Sequence, residues 1–222
     1  NSIFRHWASL YIPGASWSPP WSHSDMFQDY CGTSDCYRGD LIFKYNLVDD
    51  YGINTDTEAY GLDVFMNAYT HYNNVDVQYN VFKSGSDVVK IKSANSVRIT
   101  NNVFAGTQVG SFSCTTCSSK VIANNIYYNN RWTPNGQNSI WFGTTGYVSG
   151  NGNSQSDPLF VNADSLFGLD NIPFTADDGF NIRAASPAIN TGTNLNQIRY
   201  IIGNSISGVP DIGAYEYYSG QP

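Results

Sequence analysis

Four stretches of the chain carry the same alternation of apolar and polar positions: LIFKYNLV (41–48), VDVQYNVF (75–82), VRITNNVF (97–104) and VIANNIYY (121–128). A period of two residues is the signature of a half-buried β-strand. In each stretch the alternation runs into Asn, then an apolar residue, then usually an aromatic one. The aligned asparagines are Asn46, Asn80, Asn102 and Asn125, and the last two intervals between them are nearly equal. That interval predicts one turn of a solenoid, with about 22 residues per coil. Further strand-like segments lie before, between and after the asparagines: DMFQ (25–28), GLDVFM (61–66), DVVKIK (87–92) and SIWFG (139–143). Each coil therefore carries at least two short strands.

A chain that keeps this up buries a core that no single coil could bury, because neighbouring coils supply each other's hydrogen bonds and apolar contacts. Asparagine recurring at one turn position can stack as a ladder of side-chain amides. The fold class expected is all-β, a parallel β-helix. A β-sandwich also gives short strands, but it has no need of one signature at a fixed interval. Ser2-Ile3-Phe4 looks like the end of such a segment, and the interval from Ser2 to Asn46 is read as two coils. The chain is thus expected to start partway through a coil. The open edge this leaves invites pairing with another chain, including end-to-end self-association. The absence of an initiator Met and of a charged-then-apolar leader is read as prior processing, with any export signal already removed.

From about Ser154 the rhythm changes. Asp157-Pro158-Leu159-Phe160, Ser186-Pro187-Ala188-Ile189, Gly192 and Asp211-Ile212-Gly213-Ala214-Tyr215-Glu216 follow one another in that order. This run resembles the C-terminal region of secreted bacterial right-handed parallel β-helix proteins. The resemblance covers the chain from Asp157 nearly to its end. It implies right-handed coils over 1–152, with an irregular closing or capping segment over 153–222 in the same structural unit. QIRYIIGNSISG (197–208) stands where that group often has Asp-x-x-Gly-x-x-Arg. Such an ending implies a fold, not a function.

SGSDVVKIKSANSVRITNNVF (84–104) is also similar to polysaccharide lyases of the alginate lyase and chondroitinase type, which carry a Lys-Ser-x-x-Asn pattern on one coil. The similarity implies Lys92 as the general base that removes the proton α to a uronic carboxylate, with Asp87 near an acidic, calcium-binding position. Asn95 is two residues past Ser93 rather than three. An Arg is expected one coil later, and Cys114 falls about there. The alternative needs no chemistry: Val89, Ile91 and Ser93 face inward while Lys90 and Lys92 face water.

A second candidate is SHSDMFQDY (22–30). Asp25, Asp63 and Lys90 could line one exposed sheet face on successive coils, with His23, Asp25 and Gln28 adding acid–base and hydrogen-bonding groups for glycoside hydrolysis. Equally, His23 and Gln28 could satisfy backbone groups near a turn. WSPPW (17–21) reads as a rigid loop presenting Trp17 and Trp21 to a sugar face, or as a lid packed across the coils. In GLDNIPFTADDGF (168–180), Asp170, Asp177 and Asp178 offer hard oxygen ligands for a structural calcium, or simple turn chemistry.

Composition narrows the partners. The net charge is −7 and the pI about 4.6, which argues against nucleic acid and disfavours uronates relative to neutral glycans. With 25 Asn, 20 Gly and 16 Tyr, and only 13% charged residues, the chain reads as a secreted β protein at the cell surface or beyond. No apolar run approaches the roughly 18 residues of a membrane span. Cys31/Cys36 and Cys114/Cys117 are expected as two local disulfides, with a four-thiolate zinc site as the alternative. The function expected is a non-catalytic glycan-binding, adhesive or matrix- or filament-forming surface module, with a polysaccharide lyase or glycoside hydrolase as the alternative.

Overall fold

The computed structural model describes residues 2–5, 27–30, 36–49, 65–68, 70–83, 90–106, 113–129, 139–142, 156–196, 198–206 and 208–220. Within these residues the fold is all-β, with twelve strands numbered in chain order and no helix. One sheet runs β1 (Ser2–Arg5), β4 (Asn46–Asp49), β7 (Val81–Lys83), β9 (Val103–Ala105), β11 (Ile126–Tyr128), β12 (Ile140–Phe142). A second runs β3 (Cys36–Lys44), β6 (Thr70–Gln78), β8 (Lys90–Thr100), β10 (Ser113–Ala123). A third pairs β2 (Phe27–Tyr30) with β5 (Phe65–Ala68). Every strand pairing is parallel.

Each repeated segment is two strands rather than one, and its corner lies inside the repeat. The residue before each aligned Asn has a positive φ: Tyr45 (59°), Tyr79 (55°), Asn101 (57°) and Asn124 (56°). A single left-handed residue turns the chain from the four-stranded sheet into the six-stranded one, at a cost of about 1–2 kcal/mol for a residue with a Cβ. The aligned asparagines offset that cost. Asn46 donates its backbone N–H and its Nδ2 to Asn80 Oδ1, both at 3.0 Å. Asn80 does the same to Asn102, and Asn102 to Asn125, at 3.0 Å throughout. The remaining amide hydrogens reach main-chain oxygens, as Asn80 Nδ2 does at Phe43 O (2.9 Å) and Asn125 Nδ2 at Ile99 O (2.9 Å). These buried amides are thus satisfied, as burial requires.

The two residues after each Asn serve two different cores. Val48, Phe82, Phe104 and Tyr127 occupy one register column and face the four-stranded sheet, where Val75, Val77, Val97 and Ile99 meet them. The rings stack: Phe82 on Phe104 at 5.2 Å and Phe104 on Tyr127 at 5.3 Å between centroids. Each fully buried ring contributes roughly 2–3 kcal/mol of transfer free energy. Leu47, Val81, Val103 and Ile126 point the other way, under the C-terminal segment, with Phe160, Phe180 and Tyr215 in the same cluster. That segment runs down the flank of the six-stranded sheet, so its role is to cover a side of the stack and not only an end.

The motif residues of the C-terminal segment are engaged in turns and docking. Asp157 Oδ1 accepts from Leu159 N (2.8 Å), and Ser186 Oγ from Ala188 N (3.2 Å). Asp211 ties two stretches of loop together, accepting from Asn190 N (2.6 Å) and Tyr217 N (2.7 Å). Gly213 donates to Asn124 O (2.8 Å), and a Cβ on it would stand 2.7 Å from Ile126 Cδ1. Asn124 and Thr193 exchange hydrogen bonds at 2.8 Å in both directions. Arg98 donates to Leu195 O (2.8 Å), so this cation is a tie between β8 and the flank.

Two strand expectations change. Ser2 pairs directly with Asn46, so the chain between them makes one pass and not two. Ile140 pairs with Ile126, which puts Ser139 of SIWFG one step on from Asn125 in the ladder column. Ser2 and Ser139 thus stand in the register column of the asparagines, at the start of β1 and just before β12, the outer strands of that sheet among the described residues.

Candidate functional site

Counting back nine residues from Asn46, Asn80, Asn102 and Asn125 gives Tyr37, His71, Ser93 and Thr116. The register joins these four into one row across β3, β6, β8 and β10: Tyr37 with His71, His71 with Ser93, Ser93 with Thr116. Three residues further on, Asp40, Asn74, Ser96 and Ser119 form a second row. Between the rows, the buried Tyr72 and Ala94 and the half-buried Cys117 turn inward. Along these two rows the solvent side of the sheet is therefore amide, hydroxyl, imidazole, one carboxylate and one open ring.

Tyr37 is 79% exposed, with its ring centroid 4.9 Å from the His71 imidazole and tilted by 57°. His71 Nδ1 lies 2.7 Å from Ser93 Oγ, and its Nε2 lies 3.1 Å from Asn95 Oδ1. Asn95 donates to Asn73 Oδ1 (3.2 Å), and Asn73 to Asp40 Oδ1 (3.5 Å). Asn74 anchors the same carboxylate oxygen at 2.8 Å. A carboxylate only accepts, so the chain has one direction. Asn73 and Asn95 must each turn an NH₂ toward Asp40 and an oxygen away from it. Nε2 of His71 then carries a hydrogen, and in the neutral imidazole Nδ1 is left as the acceptor for the Ser93 hydroxyl.

Lys92 lies in β8 between Ile91 and Ser93, and Lys90 opens that strand; the side chains of both lysines lie outside the described residues. Cys114 pairs with Ile91 and Thr116 with Ser93, so the row through Lys92 continues to Thr115. Cys114 itself faces the core beside Ile91, and no Arg occupies the row of Lys92. Ser93 does not turn inward with Ile91; its hydroxyl meets His71, and Ala94 takes the buried position. Cys114 and Cys117 form the expected disulfide, which packs against the end of the inner core. Cys31 lies outside the described residues, as does the side chain of its expected partner, Cys36. His23, Asp25, Trp17, Trp21, Asp63 and Asp87 lie outside the described residues too.

The carboxylates expected to hold calcium accept hydrogen bonds within the C-terminal segment. Asp170 Oδ1 accepts from Ile172 N (2.7 Å). Asp177 accepts from the Thr175 hydroxyl (2.8 Å) and from Leu169 N (2.8 Å), which hold its carboxyl below the usual range. Asp178 is fully buried, and its Oδ2 accepts from Tyr215 Oη and Phe174 N, both at 2.9 Å. Burial pushes its carboxyl up to about 7 against the pull of those two donors. Among the described residues, no three His, Cys, Asp or Glu side chains are grouped to hold a metal. No helix among them is long and apolar enough to cross a membrane.

No family model matches the sequence, and no curated protein matches it.

Proposed function

We propose that this chain is an extracellular right-handed parallel β-helix whose four-stranded sheet binds a neutral glycan and leaves its backbone intact, as an adhesive or matrix module. The observation that carries the reading is the row Tyr37, His71, Ser93, Thr116 with the second polar row beside it. Rows of amide, hydroxyl and imidazole groups, with the one carboxylate of Asp40 at the margin, repeat at the strand spacing of about 4.8 Å, and an open aromatic ring stands at the same margin. Sugar hydroxyls meet amides and hydroxyls there, and a sugar face meets the ring. The acidic net charge disfavours a polyanion on the same surface.

Affinity electrophoresis through gels containing neutral and uronate polysaccharides tests the proposal. Retardation in at least one neutral polysaccharide is expected, weakened by about 10-fold in Tyr37→Ala, which corresponds to about 1.4 kcal/mol. Equal mobility of the parent chain in every gel overturns the reading.

A further inference from the structure

We propose that Ser93 is a nucleophile activated by His71, and that the row they share removes ester-linked acyl groups from the bound glycan. The identity of the alcohol rests on the glycan reading above; the nucleophile does not. The order is hydroxyl, imidazole, amide: Ser93 Oγ to His71 Nδ1 at 2.7 Å, His71 Nε2 to Asn95 Oδ1 at 3.1 Å. Hydrolases that use a Cys-His-Asn constellation arrange their three groups in the same roles. The direction imposed by Asp40 leaves Nδ1 as the base, since an imidazole locked in the opposite tautomer could not accept the serine proton. Asn95 is a positioning residue, held through Asn73 at 3.2 Å.

The outward turn at Ser93 belongs to the whole row, since Thr116 makes it too between Cys114 and Cys117; what is particular to Ser93 is the imidazole that its hydroxyl meets. The alternation through Ile91 predicts an inward Ser93, yet its hydroxyl is directed to an imidazole on the neighbouring strand, at the open surface of the sheet. Thr116, the exposed register partner of Ser93, brings a further hydroxyl to the same row, able to donate to an oxyanion.

The step balances without any cofactor. Ser93 Oγ attacks the ester carbonyl carbon while its proton passes to His71 Nδ1. The bond from the acyl carbon to the sugar oxygen breaks, and that oxygen takes the proton from His71. Water then attacks the acyl-serine, giving a proton to His71 as the carboxylic acid departs. Ser93 recovers its proton from the imidazole. The sum is ester and water to acid and alcohol.

The test is labelling of the full chain by an alkyl fluorophosphonate, read by peptide mass spectrometry. In that reaction the Oγ–P bond forms, the P–F bond breaks, fluoride leaves and His71 takes the proton. Modification of Ser93 in the folded chain is expected, and none after denaturation. His71→Gln is expected to slow labelling by about 10²-fold or more, the usual contribution of a general base, with an unchanged melting temperature. Ser93→Ala is expected to abolish release of acetate from an O-acetylated neutral polysaccharide. An unlabelled Ser93 in the folded chain overturns the proposal, as does labelling at the same rate in a folded His71→Gln. Gel retardation is scored separately. Retardation without labelling removes the nucleophile and leaves the glycan reading standing, whereas labelling without retardation does the reverse.

Discussion

Replacing Asp178 by Asn should make the protein's stability less dependent on pH. Asp178 is fully buried and its carboxyl is pushed up to about 7 by burial, while in the unfolded chain it titrates near the ordinary Asp value of about 3.9. The native state therefore holds the proton more tightly than the unfolded chain. Stability from this group is fully present below about pH 4 and is lost as the pH rises through 7. A difference of about three pH units, at about 1.4 kcal/mol each, sets an upper figure of about 4 kcal/mol. The asparagine keeps an oxygen for the Tyr215 hydroxyl and the Phe174 N–H, and it places an NH₂ where Oδ1 has no hydrogen-bond partner. Asp211 is also raised by burial and slopes the same way, but it is common to both proteins and cancels in their difference. Urea unfolding of parent and variant, followed by circular dichroism from about pH 4.5 to 8, measures this difference. The variant should gain on the parent as the pH rises, by a few kcal/mol across the range, and should be the more stable at pH 8. Parallel curves would refute the reasoning, because they would mean that Asp178 titrates alike in both states.

Two further outcomes follow from the ladder and the aspartate loop. Asn102→Ala strips the acceptor from the Asn80 backbone N–H and side chain at once, leaving buried donors unmet at about 1–3 kcal/mol each. Its denaturation midpoint should fall accordingly, and a loss under about 1 kcal/mol would show that the ladder is dispensable. Chelation by EDTA should leave the fold of the 168–180 loop intact, because hydrogen bonds from the loop's own donors and from Tyr215 hold Asp170, Asp177 and Asp178 in place whether or not a cation is bound. A calorimetric melting temperature lowered by EDTA, at roughly 2–4 °C per kcal/mol, would contradict that in the parent if Asp177→Ala abolished the drop.

The strand repeats were legible because alternation and the Asn column act locally, and the structure uses each of the four triplets alike. What alternation could not show was the corner. Tyr45 and Tyr79 carry no turn signal, and only their position beside a buried amide ladder makes a left-handed tyrosine tolerable. The second core was hidden for a related reason: Leu47, Val81, Val103 and Ile126 read as half of an alternating strand, and the segment that covers them arrives only from Phe160 onward. Ser2 and Ser139 escaped the repeat because hydroxyls replace amides there. The polar row is reached by carrying the Asn alignment back nine residues, where Tyr37, His71, Ser93 and Thr116 fall into line. Lys92 stands out from the same strand instead, since a cation in a strand is conspicuous and a serine is not. The disulfide of Cys114 and Cys117 was readable from spacing, but its place at the end of the inner core was not.

The ladder also gives the stack an electrical axis. All three links run the same way, from the N–H groups of the earlier asparagine to the oxygen of the later one, so the amide dipoles add along the stack as peptide dipoles add along a helix. A one-way array needs different terminators at its two ends, an acceptor at one and a donor at the other. Serine suits both, because its hydroxyl does either. The register puts Ser2 beside Asn46, and it puts Ser139 one residue before Ile140, the partner of Ile126. A strand spliced between β4 and β11 would therefore have to bring an amide to keep every link running one way, whereas a serine at that position would accept either polarity.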